Sequence, residues 1–346
     1  MGKIWVSLRD RGVNDRLLKN IQSIYRSNVS YVIYKNMKSR TFEITGGLRQ
    51  GGVLSPVLFN IFMDKIMKEC SRSVQKTCVG FKNLQRVLIS ECAFADDIAI
   101  IADSEDHLQN NLKIWNEELK KNGMKMNLNK TKVMAITEGE EKISICIDNK
   151  SLKQEKNFQY LGIIIEEKGN LEPEVNERIG KAMRMYHAMN RSIIGKKEIS
   201  KETKMKIYKT VFRPILTYGC ESWIVTNKLR SRIQAAEMKY LRRIQGVTRL
   251  DRIRNVKIRE ELQIESMAEF IERRQLSWWG HMNRMKECRQ VRQVWEARIQ
   301  KTRKRGRPRE TWNKAVEKIL ISKGITWNEA KKLTQNKKEW NKFVHS

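Results

Sequence analysis

The chain has 346 residues, with 70 Lys and Arg against 39 Asp and Glu, a formal charge of +31. Hydrophobic residues make up 40% and aromatics 8%, enough for a packed core, which excludes a mostly disordered chain and suggests about two domains. No run reaches the ~18 apolar residues of a membrane helix, and no leader is evident, so an intracellular protein with a polyanionic partner is expected.

The charge is uneven. Residues 1–172 carry 27 basic and 21 acidic side chains, whereas residues 173–346 carry 43 and 18. The six cysteines stand far apart without a C-x-x-C pair, and there are four histidines, a usage that fits neither a disulfide framework nor a structural zinc site.

In chain order, helical spacing runs over 3–26, with Gly12 as a break. An alternating stretch predicts a strand pair, Ser30–Tyr34 and Thr41–Thr45, about a polar turn at Asn36–Ser39. A Gly-rich turn, Gly46–Gly52, leads into a helix opened by Ser55-Pro56. Two apolar runs, Val87–Phe94 and Ile98–Ala102, split by Ala95-Asp96-Asp97, predict a β-hairpin with a carboxylate pair near its tip. A helix capped by Ser104 follows to 122 and stops at Gly123. Strands are expected at Lys132–Thr137, around Lys142–Ile147 and at Phe158–Ile165. Beyond Pro173 the pattern is helical at 173–192, 201–219, 226–246, 252–263 and 266–286. A basic stretch (289–310) and a final segment with a Thr326-x-x-Glu329 capping box close the chain.

Several local features can carry chemistry, and each has a plainer alternative. Adjacent aspartates at a hairpin tip can hold hard divalent ions for phosphoryl transfer, or they form an ordinary turn. Adjacent strand residues point to opposite faces, so a metal site built there also needs a carboxylate from another strand. Arg49-Gln50-Gly51-Gly52 can bring backbone close to a phosphate ahead of a helix N-terminus, or it serves as a turn. Lys130 can supply charge or a proton to a leaving group, or it is a solvated lysine before a strand. The run around Arg303, Lys304, Arg305, Arg307 and Arg309 reads as a nucleic-acid contact, a nuclear-localisation signal, a minor-groove hook or a linker. Trp278, Trp279, Trp295 and Trp312 can stack on bases, but at least two are expected in the core.

Four motifs in order carry a resemblance. Arg49–Asp64 (RQGGVLSPVLFNIFMD), Phe94–Ile100 (FADDIAI), Gly123–Lys132 (GMKMNLNKTK) and Tyr160–Gly162 (YLG) resemble successive palm motifs of the reverse transcriptases of non-long-terminal-repeat, LINE-like retrotransposons. Arg213–Trp223, Arg274–Met285 and Arg305–Trp312 resemble the region that follows the polymerase in such elements. The resemblance implies an α+β fold: a partial antiparallel palm over 1–170, a helical thumb over 171–246 and a basic helical region over 247–346. It implies RNA-templated DNA synthesis from deoxynucleoside triphosphates on a DNA primer, with Mg²⁺ or Mn²⁺ held by Asp96 and Asp97. Arg49, Gln50, Gly51 and Phe94 would lie at the nucleotide, Lys130 would assist, and Tyr160, Leu161 and Gly162 would grip the primer end.

The family's first metal-binding aspartate belongs on a strand that, by this resemblance, would precede Met1. Asp10, Asp15 and Asp64 are poor substitutes, being helical or next to a turn. A truncated, weak or inactive polymerase is therefore expected, nuclear or cytoplasmic. The alternatives are a catalytically dead nucleic-acid-binding remnant and a group II intron maturase-like factor.

Overall fold

A computed structural model describes residues 2–26, 28–44, 46–80, 87–137, 139, 141–297 and 310–346. The basic run containing Arg303, Lys304, Arg305, Arg307 and Arg309 lies outside the described residues. Helices and short, mostly antiparallel ladders make this an α+β chain. It divides into two compact units. One is built from Met1–Cys78, Leu88–Val133 and Lys142–Gln154, the other mainly from Glu155–Ser346.

In the first unit, α1 (Gly2–Asp10) ends in a turn where Gly12 takes a φ of 75°. The Asn14 side chain then caps α2 (Asp15–Tyr25), accepting from the Arg16 N–H at 2.7 Å. The stretch expected as one strand pair forms two nested ladders. Val29–Ser30 pairs with Phe42–Glu43, and Ile33–Tyr34 pairs with Met37–Lys38. The inner turn falls at Lys35-Asn36, earlier than expected, with Lys35 in the left-handed region (φ 52°). Pro56 sits in the first turn of α3 (Ser55–Ser73), where a missing N–H costs nothing.

The Ser104 hydroxyl caps α4 (Glu105–Lys121) by accepting from the His107 N–H. Leu8, Leu18, Leu58, Ile66 and Trp115, drawn from all four helices, close one core. Leu112 of α4 meets Val133, Ile145, Ile147 and Leu152 in a second. The strand expected at Lys132–Thr137 shortens to Lys132–Val133, paired in parallel with Lys153–Gln154. That expected around Lys142–Ile147 is a hairpin, Cys146–Ile147 with Lys150–Ser151, whose turn residues Asp148 and Asn149 both take positive φ.

The second unit opens on a hairpin, Asn157–Tyr160 with Ile163–Glu166, where a single strand was expected. Then come α5 (Glu172–Met189), α6 (Lys201–Ile207), α7 (Arg213–Leu216), α8 (Asn227–Gln245), α9 (Asn255–Glu261), α10 (Met267–Arg284), α11 (Gln290–Glu296), α12 (Trp312–Ser322), α13 (Trp327–Leu333) and α14 (Lys337–His345). The helix predicted over 201–219 is interrupted by a π-helical turn at Tyr208–Phe212. Pro214 has no N–H for the carbonyl four residues back, and the turn before it widens.

The rings of Tyr208, Phe212 and Tyr240 converge with centroids 4.6–5.8 Å apart. The buried Glu237 carboxylate beside them accepts from the Tyr208 hydroxyl (3.1 Å) and from Arg259 (2.6 Å). A second core in this unit joins α10 to α12, α13 and α14 through Leu276, Trp279, Leu320, Ala330 and Trp340. Trp279 is fully buried there, and Trp295 and Trp312 pack against the same cluster. No helix among the described residues is long and apolar enough to cross a membrane.

Candidate active site

The aspartate pair sits on a hairpin, as its sequence predicts, but the first strand starts at Glu91, and Val87–Ile89 belongs to a separate ladder. Glu91–Phe94 runs antiparallel to Asp97–Ile100, with Phe94 opposite Asp97 and Ala93 opposite Ile98. Ala95 takes a φ of 53°, a left-handed conformation that costs a non-glycine residue roughly 1–2 kcal/mol. Asp96 lies in the turn and Asp97 opens the return strand. Ile98 and Ile100 pack against the helical core. Strand alternation therefore puts Asp97 on the opposite face, together with its cross-strand partner Phe94. Both aspartates are exposed, and Phe94 is 64% exposed.

These donors suit Mg²⁺ or Mn²⁺ in kind, being hard, charged oxygens open to solvent. In number they supply only part of a coordination shell, because among the described residues no group of three acidic, His or Cys side chains gathers to hold a metal. The other aspartates considered are engaged elsewhere. Asp64 is held by Arg11 and by Lys68 (3.0 Å), Asp10 by Lys65 (2.7 Å), and Asp15 lies 3.7 Å from Arg9. Partial burial raises the Asp64 pKa, but the bonds from Lys68 and Arg11 outweigh it and hold the carboxyl below its usual range.

Arg49-Gln50-Gly51-Gly52 forms a tight turn clasped to the start of α3. The Arg49 carbonyl accepts from the Gly52 N–H (3.1 Å) and from the Ser55 hydroxyl (2.6 Å). Gly51 takes a φ of 78°. A Cβ on Gly52 would lie 2.7 Å from Ser55 Oγ. The Arg49 guanidinium donates to the buried Asn28 side chain at 2.6 Å and lies over the Tyr25 ring. This anchors the turn, a role that its sequence did not announce. Gln50 is exposed.

Lys130 is exposed in a short turn where its N–H meets the Asn127 carbonyl at 3.1 Å. Three motifs thus share one core. Leu48 before the Gly-rich turn, Ile98 and Ile100 on the aspartate hairpin, and Met124 and Met126 before Lys130 all pack on the cluster formed by α1–α4.

A brace not expected from the sequence follows the hairpin. His107 bonds Asp103 through Nδ1 (2.6 Å) and the Gln75 carbonyl through Nε2 (2.7 Å). Asn111 closes a second pair of bonds with the Gln75 backbone. The signal was present only as an i, i+4 Asp-His pair.

Tyr160, Leu161 and Gly162 belong to the second unit. Leu161 and Gly162 are the turn residues of its hairpin, with φ values of 50° and 81°. The Gly162 carbonyl accepts from Arg178, which pairs with the buried Glu174 at 2.5 Å.

A profile of the reverse transcriptase (RNA-dependent DNA polymerase) family matches residues 3–165. A putative uncharacterized transposon-derived protein of Caenorhabditis elegans is 24% identical over 73% of this chain and 94% of its own length. The RNA-directed DNA polymerase from mobile element jockey of Drosophila funebris is 24% identical over 70% of this chain and 26% of its own length. The Pol polyprotein from the type-1 retrotransposable element R2 of Popillia japonica is 26% identical over 64% of this chain and 36% of its own length. The matching region therefore spans about a quarter to a third of these two polymerases. Residues 3–165, which hold the Gly-rich turn and the aspartate hairpin, thus match the reverse transcriptase family, and the chain is similar to polymerases of retrotransposable elements.

Proposed function

We propose that the first unit is the palm of an RNA-directed DNA polymerase and that the helices following the Asn157–Glu166 hairpin form its thumb. The observation that carries this reading is the single core on which the Gly-rich turn, the aspartate hairpin and the segment before Lys130 all rest. In this reading Asp96 and Asp97 hold divalent metal, which when bound supplies Lewis acidity to the attacking primer hydroxyl and to the leaving pyrophosphate. The Gly-rich turn, with Arg49, Gln50 and Gly51, and the exposed Phe94 face the incoming deoxynucleoside triphosphate. Lys130 offsets charge on the pyrophosphate. The Tyr160-Leu161-Gly162 tip bears on the primer end, and the basic run with Arg303, Lys304, Arg305, Arg307 and Arg309 contacts nucleic acid.

Two carboxylates on one hairpin hold two ions poorly without an oxygen donor from another strand. The reading therefore expects this chain alone to extend a primer weakly or not at all. Primer extension on a primed RNA template with Mg²⁺ or Mn²⁺ tests it. Weak extension that disappears in Asp96→Ala supports the polymerase reading. Robust extension lost in the same variant shows that the site is sufficient as it stands. Extension that survives in Asp96→Ala and Asp97→Ala refutes the assignment.

The small donor set also favours a second reading, a nucleic-acid-binding protein without catalysis. It predicts tight binding to primed RNA with no extension under any metal.

A further inference from the structure

We propose that the Thr217-Tyr218-Gly219 turn, with Glu174 and Arg178 of α5, forms a seat that positions the Leu161-Gly162 tip. This makes them positioning residues for contact with a primer end. The inference rests on the polymerase reading and deepens it.

The tip needs support. Both turn residues occupy the left-handed region, which leucine adopts reluctantly, and a lone two-stranded hairpin is marginal in water. Three of the four residues 161–164 are pinned from two other segments. The Tyr218 hydroxyl donates to the Leu161 carbonyl at 3.0 Å. Arg178 donates to the Gly162 carbonyl. The Ile164 N–H donates to Glu174 Oε2 at 2.7 Å, while Glu174 Oε1 accepts from Arg178 Nε at 2.5 Å.

Gly219, at a φ of 77°, leaves room for Ile163, because a Cβ there would lie 2.9 Å from Ile163 Cδ1. The Arg178 guanidinium stacks 4.8 Å over the Tyr218 ring and completes the clasp. Two short motifs more than fifty residues apart, Tyr-Leu-Gly and Thr-Tyr-Gly, thus lock to each other.

The division between buried and open groups indicates a purpose beyond packing. The pinning pair is buried (Glu174 0%, Arg178 5%), while Tyr218 stays 49% exposed and Leu161 36%. The tip is held fixed and left open, as a contact surface needs to be. Glu174 and Arg178 neutralise each other, and residues 157–163 contain no acid to repel a phosphate.

The experiment compares the full chain with Tyr218→Phe, which keeps the ring and loses only the hydroxyl, and with Gly219→Ala. Fluorescence anisotropy measures affinity for an RNA–DNA duplex with a recessed primer 3′ end and for a blunt duplex of equal length. Melting temperature and hydrogen exchange over 157–166 are followed alongside. The wild type is expected to prefer the recessed duplex. Tyr218→Phe should reduce that preference by about fivefold, the scale of one hydrogen bond, with blunt-duplex affinity and melting temperature nearly unchanged and exchange at the tip accelerated.

A preference that survives in both variants overturns the inference and leaves the polymerase reading standing. A parallel loss of melting temperature and of both affinities shows a merely structural role and also overturns it. A wild type without any preference removes the primer reading and this inference with it.

Discussion

His107 is 4% exposed and faces two acceptors, the Asp103 carboxylate and the Gln75 carbonyl. Both bonds are satisfied only when both ring nitrogens carry protons, that is, in the imidazolium form. Burial pulls its pKa down, but the bonds to Asp103 and Gln75 outweigh burial and raise it above the ordinary value of 6.5. A group whose folded pKa is raised contributes stability that is fully present below the unfolded value and is lost as pH rises through the folded one. Urea unfolding should therefore show a lower midpoint at pH 8.5 than at pH 5.5. In His107→Gln that step should vanish, and an equal step in the variant would rule the brace out as its source. At the Gly-rich turn, Gly52→Ala should destabilise the first unit by about 1–3 kcal/mol, since the new methyl meets Ser55 Oγ at 2.7 Å and the Arg49 carbonyl at 3.2 Å. A thermal melt unchanged from wild type would contradict that.

Among the elements, those signalled locally were legible in the sequence. The aspartate hairpin announced itself by two apolar runs around Asp-Asp, and the helix caps Ser104 and Thr326 stand where short polar residues precede periodic runs. The Asn157–Glu166 hairpin looked like one strand because Leu161-Gly162 is a weak turn signal inside an apolar run, and the tip is stabilised from α5 and Tyr218. The hairpin at 146–151 was hidden likewise, its Asp148-Asn149 turn reading as a strand end. Glu174, Arg178 and Asn28 could not be found by pattern, since their meaning lies in partners 10 to 21 residues away. In the Trp278-Trp279-Gly280 motif, Gly280 is the seat of α14: a Cβ there would lie 2.0 Å from Trp340 Nε1. Gly280→Ala should loosen α14 by about 1–3 kcal/mol, seen as early proteolytic cleavage near 334–337 and a shift in tryptophan emission. A wild-type digestion pattern would refute the seat.

For the whole molecule, the 43 basic side chains of residues 173–346 overstate the number that can meet a polyanion. Many arginines there are committed to glutamates, including Arg178 to Glu174, Arg259 to Glu237, Arg213 and Arg273 to Glu265, and Arg274 to Glu221. The salt dependence of duplex binding therefore reports the cations that remain to contact phosphate. If the run at 303–309 contributes, Arg305→Ala with Arg307→Ala should lower the slope of log K against log salt by about two, near 0.9 for each phosphate contact. An unchanged slope assigns that run to linkage alone.

Trp295 packs beside the α10–α14 core and donates through Nε1 to Asn313 Oδ1 at 2.8 Å. The anchors on either side of the basic run are thus already fastened to each other. Loop-closure entropy changes by only ~0.6 kcal/mol for each doubling of length, so exchanging residues 298–309 for a short neutral Gly-Ser linker should leave the fold intact. The Trp295–Asn313 bond joins the two anchors whatever sequence links them. A swap variant could acquire a different recognition segment at that point, or none, without renegotiating the architecture that carries it.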